Sequence, residues 1–337
     1  MDVDIILDST ISSQELCELG LLAEQYDIRC VWNANMLIGR DPFTNMAQLA
    51  RESSRIKVAP MAINAYEMHP FRIAMNLLTL NELAPGRVEA MIGGGGETVM
   101  SLDIPFERRV GYVKEALEFV SGAMNNRPFS YDGSLFKIRD YDPPWVSDGP
   151  KPFLFAGANR PMMTKMAATT ADGILLSDLT PNLCTERIEN VRSYRRDAGL
   201  SNDGYRFNNF LAWYVYDDPA EARFEARRWI GFRALFRDYM MLDFMNQDEF
   251  QQILDHMDAI YAMAPANTDR VEGLDDELLD RCVDHLTLTG GVDDLDRIIE
   301  ELLEFKAIGI TEVSFKLQKH YAHSIKLLGE RVIPALR

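Results

Sequence analysis

Three short runs combine residue types that chemistry needs, and each follows a β-branched stretch. Gly93-Gly94-Gly95-Gly96-Glu97 sets an acid behind four consecutive glycines. Glycines let the backbone approach a flat or phosphorylated ligand, and successive N–H groups can form an anion nest. The run is not GxGxxG, GxxxxGK[ST] or GxSxG, so the dinucleotide, P-loop and hydrolase readings lose support. Phe155-Ala156-Gly157-Ala158-Asn159-Arg160-Pro161-Met162-Met163 joins a strand to a helix start, a pattern suited to holding a phosphate or another anion. The plainer alternative is a connecting loop with a solvated Arg160. Met61-Ala62-Ile63-Asn64-Ala65-Tyr66-Glu67-Met68-His69-Pro70 ends the third predicted strand. A histidine before a helix-starting proline reads as a hydrogen-bonded structural residue ahead of an acid or base. Asp8 and Glu97 fall at predicted strand ends, where a carboxyl raised by burial could move a proton, and the adjoining glycines favour Glu97.

The remaining candidates for chemistry are sparse. His256, His285, His320 and His323 show no HExxH spacing, and His320 and His323 read as solvated. Cys17, Cys30, Cys184 and Cys282 form no CxxC, so neither a metal site nor a disulfide framework is expected. Neither a phosphate-transfer lysine motif nor a Schiff-base lysine at a strand end is evident, which disfavours kinase and aldolase chemistry.

Strands are predicted at 3–7, 28–32, 56–63, 88–92, 152–156, 173–176, 207–216 and 312–316, separated by segments with helical apolar spacing. Eight strands with long crossovers favour an α/β fold with a parallel sheet closed into a (β/α)8 barrel, and the rival is an open doubly wound sheet. A hairpin is expected to turn at Asp132-Gly133. Helices are expected at 220–241 and 248–264, with no strand between them. No linker divides the chain, which reads as one domain, 1–337. The Met-rich stretch 236–286 reads as a helical insertion, and a late insertion in a barrel is expected over the C-terminal mouth. Its aromatic and methionine residues, Tyr239 among them, read as core or pocket lining.

The chain has 337 residues, with 35 Lys+Arg against 52 Asp+Glu, a net charge of −17. That balance repels nucleic acid and anionic membrane surfaces, while leaving room for a small anionic ligand at a local N–H cluster. No apolar run reaches the length of a membrane span, and Met1 to Thr10 lacks a signal-peptide pattern, so a cytoplasmic protein is expected.

The motifs taken together resemble a known family. They are Lys57-Val58-Ala59-Pro60 through Asn64, His69-Pro70, Thr79-Leu80-Asn81-Glu82-Leu83, and Gly86-Arg87 leading into the glycines. Ala156-Gly157 through Met163, Ala171-Asp172-Gly173, Tyr131-Asp132-Gly133, Gly290-Gly291 and Gly309-Ile310-Thr311 complete the set. The chain, apart from 236–286, resembles the bacterial luciferase-like superfamily of flavin- and deazaflavin-dependent oxidoreductases, nearest to its methylenetetrahydromethanopterin reductase branch. The resemblance implies a TIM barrel with the isoalloxazine or deazaflavin ring at its mouth, backed by a non-prolyl cis peptide at Met61–Ala62. It implies that Asn64, Gly95 and Gly96 lie near the ring, and that Gly157, Ala158, Asn159, Arg160 and Met162 form the phosphate loop. Glu97 would be the proton donor.

The resemblance also shows a departure. The family often carries Trp-x-x-Asp-His after strand two, and this chain reads Trp32-Asn33-Ala34-Asn35-Met36. Asn35 can hydrogen-bond a ring carbonyl but cannot act as a base. The acid near the end of strand one is displaced to Asp8, which argues against methylenetetrahydromethanopterin itself as substrate. The implied function is hydride transfer between coenzyme F420 and a small organic substrate. The alternatives are a reduced-FMN-dependent monooxygenase and a non-catalytic flavin-binding protein. A homodimer is expected by analogy.

Overall fold

The computed structural model describes residues 1–105, 107–233 and 236–337. Its strands are β1 (Asp2–Leu7), β2 (Cys30–Ala34), β3 (Lys57–Met61), β4 (Glu89–Ile92), β5 (Phe129–Asp132), β6 (Lys137–Tyr141), β7 (Phe153–Gly157), β8 (Gly173–Ser177), β9 (Arg206–Tyr216), β10 (Thr287–Gly291) and β11 (Glu312–Leu317). Eight of them form a parallel sheet in the order β3-β2-β1-β11-β9-β8-β7-β4. Bridges Val58–Val88 and Ile63–Ile92 join β3 to β4 and close the sheet on itself. The eight expected strands are the barrel staves, so the open doubly wound alternative is excluded. β5 and β6 form the expected hairpin.

Three expectations about the later chain are corrected. β10 occupies a stretch where no strand was expected, because Thr287-Leu288-Thr289-Gly290-Gly291 is short and its glycines read as a loop. β8 stops at Ser177 opposite Phe210, while β9 runs on to Tyr216. That leaves an unpaired backbone edge, and β10 pairs there from Ala212 to Tyr216. The helix expected at 220–241 is instead Pro219–Arg233 followed by a separate Asp238–Met241, and residues 234 and 235 lie outside the described set. The helix expected at 248–264 is two, Gln247–Asp255 and Met257–Ala266, divided at His256. Helix Met257–Ala266 packs on Pro219–Arg233, and helix Asp276–Leu286 packs on that helix and on β10.

The helices that follow the staves begin in a repeated way. Pro42, Pro70, Pro161, Pro181 and Pro219 each open a helix, where a missing N–H costs nothing and a fixed φ helps. Side chains of Ser12, Asp41, His69 and Thr180 cap the N-termini beside them. His69 accepts the Phe71 N–H at 3.1 Å through Nδ1, the structural role expected of it.

Inside the barrel, residues of alternate positions build two zones. The lower zone is ionic. Lys57, Glu89, Arg206 and Glu312 are the first residues of their strands, and Arg29 immediately precedes β2. Arg29 grips Asp4 through Nε at 2.9 Å and Nη2 at 2.5 Å, and reaches Glu89 at 2.7 Å. Lys57 and Arg206 also contact Glu89, at 2.5 and 2.7 Å, and Arg206 meets Glu312 at 2.5 Å. Burial pushes the Glu89 carboxyl up, but the three surrounding cations hold it well below the usual carboxylate range. Above this zone lies an apolar one of Ile6, Trp32, Ala59, Met61, Met91, Phe155 and Leu175. Trp32 joins the two, donating its indole N–H to Asp4 at 2.9 Å and meeting the Phe155 ring edge-on.

Cys17, Cys30, Cys184 and Cys282 are all buried free thiols. Among the described residues, no helix is long and apolar enough to cross a membrane.

Removing Glu89 leaves three partly buried cations short of a buried anion. Glu89→Ala is expected to cost about 3–5 kcal/mol of folding stability, read by urea denaturation. A loss under about 1 kcal/mol would show that the ionic zone does not hold the staves.

Candidate active site

The C-terminal ends of the staves place most of the expected residues together. β2 ends beside β3, so Asn35 follows directly onto the Met61 region, and its backbone N–H donates to the Met61 carbonyl. The Met61–Ala62 peptide is cis. Ile63 N–H donates to Met91 O at 2.9 Å and Gly93 N–H donates to Ile63 O at 2.9 Å, so the end of β4 is bonded to the segment after the cis peptide. Asn64 is buried, and its Oδ1 accepts the N–H groups of Tyr66 at 3.1 Å and Glu67 at 3.0 Å, a local turn that asparagine favours.

The floor here is made of small residues. A Cβ on Gly93 would sit 3.4 Å from both Ala62 Cβ and Met91 Sδ, and one on Gly157 would lie 2.6 Å from Met91 Sδ. Ala62, Gly93 and Gly157 thus surround Met91 with no long side chain of their own standing above the backbone, which suits a flat ligand. Gly95 has φ +75°, and a Cβ there would strike Val99 at 2.6 Å. At Gly96 a Cβ would meet nothing within 4 Å, so this backbone borders open space.

The two expected proton carriers differ from Asn35 and Asn64 in their surroundings. Glu97 opens the short helix Glu97–Ser101 and is exposed, with no hydrogen bond or ion pair among the described residues. Only a ligand covering the mouth would desolvate it. Asp8 lies 3.5 Å from Lys316 and accepts from the Thr10 hydroxyl at 2.6 Å. Burial pushes its carboxyl up, yet Lys316 and Thr10 outweigh that and hold it below the usual range, so it stays ionised at neutral pH. Asp8 is not the acid.

The expected phosphate loop forms a separate corner after β7. Asn159 sends Nδ2 to Ser177 O at 2.9 Å and takes Ser177 N–H on Oδ1 at 3.0 Å, so its amide clamps β7 to β8. Ala158 is buried, its N–H on Leu175 O. Arg160 is exposed and precedes helix Pro161–Thr170, which no side chain caps. The Met162 side chain is 70% exposed, so its contribution to an anion is the uncapped first-turn backbone. Tyr239, its hydroxyl pushed up by burial, hydrogen-bonds Asn159 within electrostatic reach of Arg160, Arg187 and Arg237. Three arginines thus lie near one corner of a chain of net charge −17, with Arg187 donating to the Asn159 carbonyl at 2.8 Å and paired with Glu186.

Four of these residues carried no functional expectation from the sequence. Arg187 and Arg237 sit in helical or connecting sequence with no local motif, and Tyr239 reads as packing. Glu67 had a signal, since Asn-x-x-Glu is a spacing at which the two side chains meet. His320 is exposed, as expected, and its Nε2 lies 3.1 Å from Glu221. Among the described residues, no three His, Cys, Asp or Glu come together to hold a metal ion.

The two adjacent glycines separate fold from site. Gly95→Ala is expected to cost about 1–2 kcal/mol, because an L-residue is strained at that φ, whereas Gly96→Ala should melt with the wild type. Equal melting temperatures for the two variants would refute this assignment.

The luciferase-like monooxygenase family model matches residues 4–312. A 5,10-methylenetetrahydromethanopterin reductase of Archaeoglobus fulgidus is 26% identical over 327 residues, covering 94% of each chain. Among solved structures, the coenzyme F420-dependent tetrahydromethanopterin reductase of Methanopyrus kandleri superposes with a TM-score of 0.84 at 20% identity, covering 100% of both chains. An F420-dependent secondary alcohol dehydrogenase bound to an F420-acetone adduct gives 0.75 at 17% identity, again with 100% coverage of both. With a family model spanning most of its length and a barrel closed in the same way, the chain belongs to the luciferase-like monooxygenase family.

Proposed function

We propose that this protein is an oxidoreductase that transfers hydride between coenzyme F420 and a small organic substrate. The observation that carries the reading is the pairing of a floor of small residues with a three-arginine corner. Ala62, Gly93 and Gly157 are packed around Met91 and carry no long side chain that would block a ring. Arg160, Arg187 and Arg237 with the uncapped helix Pro161–Thr170 suit an anionic tail. The reductase relative and the F420-dependent structural neighbours support the deazaflavin over a flavin. When bound, the deazaflavin supplies a carbon centre that gives or takes hydride.

The roles of the chain's own residues follow from their positions. Met61, Ala62 and Asn64 would support the ring, with Gly95 and Gly96 at its open side. Gly157 and Ala158 would let the tail pass to Arg160 and the Met162 backbone. Glu97 would hold or release a proton once a ligand shields it from water, and Asn35 would hydrogen-bond the ligand without acting as a base. The protein would act as a homodimer in the cytoplasm, by analogy with its family. The family description favours one second reading, a reduced-FMN monooxygenase built on the same mouth.

Fluorescence titration decides between the cofactors. F420 is expected to bind in the micromolar range and FMN more weakly, and binding of FMN alone would overturn the proposal. Arg160→Ala should weaken F420 about tenfold while leaving unchanged a deazaflavin that lacks the anionic tail. Glu97→Gln should lower turnover about 100-fold or more with F420 affinity within about threefold of wild type. Unchanged turnover would remove Glu97 from the chemistry.

A further inference from the structure

We propose that Glu67 is a positioning residue of the mouth, dictating which edge of the Asn35 amide faces the ligand. The inference rests on the function proposed above. Glu67 Oε2 accepts from Asn35 Nδ2 at 3.0 Å, and Oε1 accepts from Asn64 Nδ2 at 2.5 Å. An ionised carboxylate only accepts, so both amides must turn their NH2 groups toward it. Asn64 is held in that sense independently, because its Oδ1 already takes the N–H groups of Tyr66 and Glu67.

Asn35 has no such second anchor. Among the described residues nothing donates to its Oδ1, and the residue is partly exposed. Its backbone N–H rests on the carbonyl of Met61, the first residue of the cis peptide. A ligand lying on that peptide therefore meets Asn35 as a hydrogen-bond acceptor, and the acceptor is neutral because the charge sits one residue behind it on Glu67. This gives the departure at Asn35 a physical reason. The carboxylate often carried at that place in the family is supplied here from the segment after β3, with the acceptor edge kept toward the mouth.

Charge-exchange variants test this logic. In Glu67→Gln the new amide keeps an oxygen for Asn64 and turns its NH2 toward Asn35. Asn35 must then rotate, presenting a donor where the ligand met an acceptor. Asn35→Asp sets two carboxylates against each other. The double variant Asn35→Asp with Glu67→Gln restores one amide and one carboxylate, satisfies Asn64, and again offers an oxygen to the ligand.

F420 affinity is measured by fluorescence on all four proteins, with melting temperatures alongside. Each single variant is expected to bind about tenfold more weakly, and the double variant to recover to within about threefold of wild type. Equal weakening of the double and single variants overturns the positioning role, and so does unchanged affinity in Glu67→Gln. If Glu67→Gln fails to fold, the comparison of Asn35→Asp with the double variant decides the question by the same criterion. If FMN binds and F420 does not, the proposed function falls, and the four proteins are compared with FMN by the same criteria. If neither binds, both proposals fall.

Discussion

Glu89, shared among Arg29, Lys57 and Arg206, is the contact on which the barrel depends. The three cations come from the starts of β2, β3 and β9, so one carboxylate at the start of β4 links staves on opposite sides of the closed sheet. Buried charges are costly unless their partners surround them, and here each is paired at the moment the sheet closes. The same closure sets Asp4 under Trp32, and Trp32 carries the apolar zone that supports Met61 and Met91. A chain of charge pairs, an indole and packed methionines runs from the base of the barrel to the floor of its mouth.

Above that floor, function divides between two kinds of surface. On the β2–β4 side the surface is made of small residues, with Gly93 buried, Gly94, Gly95 and Ala62 half-buried and Gly96 exposed. On the β7–β8 side the surface is cationic. Asn159 serves that corner by tying β7 to β8, which holds Arg160 and the helix start in place. The first part of the Met-rich stretch adds to it, with Thr180 Oγ1 donating to Asp243 Oδ2 at 2.5 Å and Tyr239 bonded to Asn159. The later helices of that stretch pack instead along Pro219–Arg233 and β10.

Local signals explain why some elements were legible from residues alone. Proline at helix starts, glycine at turns and β-branched runs act within a few residues, so eight staves and their order of appearance followed from the sequence. β10 was not legible because its pairing partner is an edge of β9, far earlier in the chain, left open only because β8 is short. The hairpin at Asp132-Gly133 was legible because its two strands are neighbours in the chain.

The sequence by itself determined the number of staves, the glycine run, the cis-peptide position by family likeness, and the residue types available at each strand end. Only the tertiary structure decided which of those types act together. Asn35, Asn64 and Glu67 became one unit because β2 and β3 lie side by side at the mouth. Arg160, Arg187 and Arg237 came within electrostatic reach of Tyr239 because separate segments converge there. Asp8 was removed as an acid because closure of β11 against β1 brought Lys316 to it. Hydrogen bonds and ion pairs act over a few ångströms of space, and no spacing along the chain records which distant residues the closed sheet will bring within that range.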